Sequence, residues 1–187
     1  MTVEEIFNQI SNHMVKGIMF HAQMSDYYNF LGLKGYSKCH EYHFICENYN
    51  FRKLSHYFLN HYDKIIQDLP TSNSSVIPAS WAKYKRQDVD AATRKSAIQT
   101  GIENWVKWEQ NTKLIYEKMY IELISLKEID AAMEIKKYIS DVSEELTKAK
   151  QKYIEEKSID FDITILIEEQ DELYQKYSKE IAEIEMQ

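Results

Sequence analysis

The chain has very little of what ends helices. Four Gly and two Pro in 187 residues leave too few turn-formers for an all-β fold, and both prolines, Pro70 and Pro78, fall in one stretch. No apolar run approaches the eighteen or so residues of a membrane span, so no membrane is expected. Met1-Thr-Val-Glu-Glu shows no basic region ahead of an apolar core, so no secretory leader is expected. The two cysteines, Cys39 and Cys46, are separated by about 10 Å of helical rise, too far for a disulfide; they read as reduced thiols of a cytoplasmic protein. There is no Gly-rich phosphate loop and no nucleophile elbow. Cys39-His40 is not a catalytic pair, because helical neighbours point about 100° apart. No catalytic residue is assigned. With a formal charge of −7 and no dense Lys/Arg cluster, direct nucleic-acid binding is not expected.

What is present is heptad spacing. Phe7, Ile10, Met14, Gly17, His21, Met24, Tyr28 and Leu31 alternate in steps of four and three, one stripe of one helix. The pattern predicts five helices, at about 3–31, 35–68, 90–126, 128–157 and 162–185, in a single domain. Residues 159–167 also alternate like a strand, but a lone strand would lack a partner. The connection from about 69 to 90 is far longer than the turns that usually join antiparallel helices. Two helices, a long crossover and two more helices make the expected fold all-α. It is a ferritin-like antiparallel four-helix bundle with a long helix 2–helix 3 crossover and an extra C-terminal helix. Seams this regular leave homodimerisation open.

Polar residues interrupt three of the seams. His21 sits mid-stripe in helix 1, Glu47 in helix 2 and Glu109 in helix 3, with His43 one turn before Glu47 on the same face. Imidazoles and carboxylates at matching depth are how a bundle builds a metal site. A di-iron centre needs Glu-x-x-His on two helices, yet Phe44 and Asn50 stand three residues after Glu41 and Glu47. Helix 4 has no His, and its Asp141 and Glu145 flank the seam, half outward. A simpler mononuclear site would use His21, His43, Glu47 and Glu109, with iron or manganese. A hydrogen-bonded polar layer that fixes helix register explains the same residues with no cofactor, and is the plainer reading of the spacing.

The stretch Trp81–Arg86 mixes aromatics with bases, but Asp88 and Asp90 dilute it; a loop packing Trp81 onto the bundle is expected. Charge is uneven along the chain. Residues 128–187 carry 17 acids and 8 bases, which suits a basic partner as well as it suits solvated helix faces.

Across most of its length the chain resembles a family of small acidic ferritin-like proteins of gut bacteria, phages and mobile elements. The resemblance is carried by His40-Glu-Tyr-His43, Arg86-Gln-Asp-Val-Asp90, Trp105-Val-Lys-Trp-Glu109, Asp141-Val142 and Asp160-Phe-Asp162. That group is similar to type II anti-CRISPR inhibitors. The resemblance implies a non-enzymatic, cofactor-free protein that binds an RNA-guided CRISPR effector nuclease and impedes its DNA binding or cleavage. Such nucleases hold nucleic acid in positively charged channels. The acids Asp160, Asp162, Glu168, Glu169, Asp171 and Glu172 are therefore the expected partner-binding residues. The alternative is a ferritin-like metal-binding protein or oxidoreductase.

Overall fold

The computed structural model describes residues 1–66 and 89–185. Five helices run in chain order: α1 (Val3–Leu31), α2 (Lys34–Tyr62), α3 (Ala91–Ser125), α4 (Ile129–Ser158) and α5 (Ile163–Glu185). Most of the crossover, with Trp81–Arg86, lies outside the described residues, so the expected packing of Trp81 is not placed.

Local chemistry sets the boundaries. Thr2 and Glu5 form a reciprocal capping box that opens α1, and Gly32, at φ 85°, closes it in the left-handed conformation that glycine adopts without strain. Asp90 caps α3 by accepting from the Thr93 N–H at 2.7 Å. The second helix is shorter than its periodicity predicts. It stops at Tyr62 rather than 68 because Asp63 turns left-handed, φ 52°, and its N–H bonds back to Leu59. The stripe that heptad spacing predicts for this helix, His40, Phe44, Glu47, Phe51, Leu54, Phe58, His61 and Ile65, accordingly ends in two exposed residues, His61 and Ile65. Between α4 and α5, Asp160 and Phe161 both have positive φ, and the Phe161 N–H reaches Glu156 O at 2.8 Å. That reversal resolves the strand-like alternation into a tight turn at 159–162 followed by the first turn of α5.

The short connections make α1/α2 and α3/α4 the two tightly packed antiparallel pairs. The pairs meet mainly through α1 and α3, and α5 lies along α2. Heptad spacing predicts the α5 stripe Ile163, Ile167, Gln170, Tyr174, Tyr177, Ile181 and Ile184, and the buried face departs from it in part. Leu166, Gln170, Tyr177 and Ile181 are buried, whereas Ile167 and Tyr174 face solvent. Gln170 Oε1 accepts from the Tyr36 N–H at 3.0 Å, at the spot where Gly35 lets the α5 backbone approach.

The apolar interior is two cores rather than one. Ile6, Phe7, Ile10, Met14, Leu54, Phe58, Tyr116, Leu123 and Ile135 fill one end. Phe20, Met24, Tyr28, Leu31, Tyr36, Ile98, Ile102, Trp105 and Ala149 fill the other. Between them every helix of the bundle changes character at the same level: Gly17–His21 on α1, His40–Glu47 on α2, Glu109–Thr112 on α3 and Glu145 on α4. Among the described residues no helix is long and apolar enough to cross a membrane.

Candidate metal centre

The level between the cores contains a cavity of about 300 Å³ that reaches inward from the surface between α2 and α4. His21, His43, Glu47 and Glu109, the four residues singled out by seam spacing, all line it. Two further contributors were missed. Heptad spacing puts His40 at an ordinary position of the helix 2 stripe and Glu145 half outward on α4. Glu145 in fact reaches inward from the edge of the α4 stripe, its Oε2 standing 3.3 Å from His43 Nε2, with 21 % of its side chain exposed. The absence of a helix 4 contribution is thereby corrected. A helical residue covers the turn preceding its own Cα, so a long carboxylate beside the seam can still enter the layer.

The imidazoles form a buried chain. His21 Nδ1 and His40 Nδ1 are 3.0 Å apart, and the His21 ring lies 5.1 Å from that of His43. His40 stacks on Tyr28 and sets its edge against Trp105. Burial first, then the neighbouring imidazoles, hold the His21 pKa well below its ordinary value; His40 is lowered in the same way by burial and His43. His43 is also lowered by burial, with Glu145 opposing. All three are therefore neutral near pH 7, the form that ligates metals.

The carboxylates carry the opposite strain. Glu109 is 3 % exposed, accepts from Trp105 Nε1 at 3.1 Å and faces His21 Nε2 at 3.6 Å. Burial, then the charges of Glu47 and Glu145, push its pKa well up; Glu47, half-buried, is pushed up to about 8 by burial and then by Glu145. Two acids that resist ionisation beside a third are a site short of positive charge. Gly17 makes the room for Glu47, since a Cβ there would stand 3.3 Å from Glu47 Cδ.

As the side chains stand, no group of three or more His, Cys, Asp or Glu among the described residues is drawn together tightly enough to hold a metal ion. The donor set nevertheless suits one. His43 Nε2 and Glu145 Oε2 are buried without a hydrogen-bond partner among the described residues, and neutral imidazole with carboxylate is the ligand chemistry of iron, manganese and zinc sites. A dinuclear centre is not met, because α2 continues Glu47 with Asn50 and α4 carries no His.

The expected partner-binding acids are all exposed, but they differ in their commitments. Asp160 pairs with Lys95, Asp162 accepts from the Thr164 N–H at 2.8 Å, and Glu169 holds Lys152 at 3.0 Å. Glu168, Asp171 and Glu172 project from one outer face of α5. A further acid of the same region, Glu156, is interior instead; it takes the Tyr36 hydroxyl proton in a hydrogen bond and pairs with Lys152 at 2.6 Å.

No family model matches the chain, and neither does any curated protein. Solved structures do. A humanized archaeal ferritin is 17% identical over 91% of this chain and 94% of its own, with a TM-score of 0.72. A closed form of the Archaeoglobus fulgidus ferritin, engineered by site-directed mutagenesis, is 16% identical over 93% and 96%, at 0.71. The open-pore ferritin from that hyperthermophilic archaeon is 16% identical over 91% and 94%, at 0.70. Joined to the helix order and the polar level between two cores, these likenesses identify the fold as a ferritin-like all-α bundle carrying an extra helix.

Proposed function

We propose that this chain is a ferritin-like metal-binding protein, a single helical domain that takes one divalent cation, iron or manganese, at His21, His43, Glu47 and Glu109, with Glu145 as a fifth donor. One observation carries the reading: neutral imidazoles and charge-starved carboxylates from all four bundle helices meet at one level, reached by a cavity. A bound ion would contribute Lewis acidity and, for iron, one-electron redox capacity. The chain's own residues bind and orient. His40 fixes the His21 ring through Nδ1, Trp105 fixes Glu109, and apolar cores flank the donors on both sides. The cytoplasm suits the two free thiols of Cys39 and Cys46.

The test is elemental analysis of protein purified from cells supplemented with iron and manganese. Close to one equivalent of metal per chain, lost in His21→Ala and Glu109→Gln, is the expected result. Metal-free protein that also stays empty after reconstitution would overturn it.

A second reading rests on the free acidic face of α5. Glu168, Asp171 and Glu172 fit an inhibitor that docks on the basic surface of a CRISPR effector nuclease, without enzyme activity. A DNA-cleavage assay with a guide-loaded type II nuclease decides it. Near-stoichiometric inhibition, stronger when the protein is added before DNA, supports this reading, and no inhibition across several such nucleases removes it.

A further inference from the structure

Lys148 stands at the mouth of the cavity, one turn beyond Glu145 on α4. Its Nζ lies 2.9 Å from Glu144 Oε1 and 3.0 Å from Glu145 Oε1. The other oxygen of Glu145 is the one that faces His43 Nε2 at 3.3 Å. A single carboxylate thus connects the ammonium outside to an imidazole inside, and that imidazole nitrogen is buried without a hydrogen-bond partner among the described residues. Helical Glu–Lys pairs are common and individually weak. Two features set this one apart. Lys148 also borders a second cavity, of about 190 Å³, lined by Tyr36, Trp105 and Tyr177, and one of its two carboxylates is a proposed metal donor.

Building on the metal-binding reading, we infer that Lys148 is a tethered counter-ion, which neutralises Glu145 in the metal-free protein and competes with the incoming cation for it. The ammonium on Oε1 weakens the hold of Oε2 on an incoming cation, so the ion binds more tightly once the ammonium leaves Glu145. Its side chain is already 46 % exposed, so the ammonium can withdraw into water. The exchange is selective by charge. A monovalent ion replacing one positive charge with another gains little at Glu145, whereas a divalent ion brings a full extra charge beside Glu145 and favours ionisation of Glu47 and Glu109. The mouth therefore favours divalent over monovalent cations without any change in donor geometry.

Equilibrium dialysis with Mn²⁺ alone, comparing the wild-type chain with Lys148→Gln and Lys148→Arg, tests this. Lys148→Gln should bind Mn²⁺ roughly fivefold more tightly, the effect of losing one partly screened competing charge. Lys148→Arg, which keeps the charge, should match wild type. Wild-type binding that is unchanged or weakened in Lys148→Gln overturns the counter-ion role while leaving the metal site standing. Equal tightening in both variants assigns the effect to space rather than charge and also overturns it. Absence of Mn²⁺ binding in all three proteins overturns the metal site itself. Binding by Lys148→Gln alone supports both.

Discussion

His21 and His40 face each other through Nδ1 at 3.0 Å, both rings buried between the two apolar cores. Only one proton fits between them. A proton on His21 Nδ1, donated to His40, leaves the Nε2 of the His21 ring a lone pair toward Glu109 and the cavity, the tautomer that a metal ligand needs. His40→Phe preserves ring packing against Tyr28 and removes the acceptor. The chain should stay folded by circular dichroism while Mn²⁺ affinity falls about tenfold.

Glu109 shows how the layer trades stability for charge. An acid whose pKa is raised in the folded state favours folding below its unfolded value and loses that contribution as pH rises. Glu109→Gln removes the ionisable group while keeping an oxygen for Trp105. At pH 8 without divalent cation it should raise unfolding free energy by about 2 kcal/mol. The thermal stabilisation given by Mn²⁺ should disappear in the same variant; a variant less stable than wild type in chelator would contradict the charge-crowding account.

His13 gives the acid side a measurable slope. Its Nε2 lies 2.8 Å from Thr112 Oγ1 and its ring stacks on Trp108, while burial and then Lys16 pull its pKa down from 6.5 to about 4. The unfolded chain binds the proton first, so stability is fully present above pH 6.5 and declines toward pH 4, by about 3 kcal/mol for this group. Denaturant titrations of wild type and His13→Gln across that range should differ in slope, the variant being flatter.

Gly35 controls the docking of α5. A Cβ there would lie 2.6 Å from Gln170 O and 2.8 Å from Leu173 Cβ, both on the opposing helix. Gly35→Ala should cost about 2 kcal/mol despite its better helix propensity and raise hydrogen exchange along α5 first. Protection of α5 equal to wild type would show that the helix shifts without loss.

The acidic outer face is tested by charge reversal of Glu168, Asp171 and Glu172 to Lys. Glu169 is best left alone because it holds Lys152, which also anchors buried Glu156. If that face docks on a basic partner, inhibition in the cleavage assay should fall at least tenfold with melting temperature unchanged. Undiminished inhibition would remove the face from the contact.

Periodicity alone determined that the chain is helical. The positions of His21, Glu47 and Glu109 within their stripes were legible too, because a 3.5-residue repeat assigns each residue a face before any packing occurs. It could not place residues lying beside a stripe. Glu145 joins the layer because its side chain leans back along α4 toward His43, and His40 matters because its ring meets His21 from another helix. The same limit governs the ends of elements. The second helix stops at Asp63 through a left-handed turn, and α5 docks through Gln170 where Gly35 admits close approach. Facing is a local property of a helix and is written in spacing. Depth, register between helices and the proximity of charges arise only when the four helices pack, and they decide whether a polar residue in a seam is isolated or becomes part of a site.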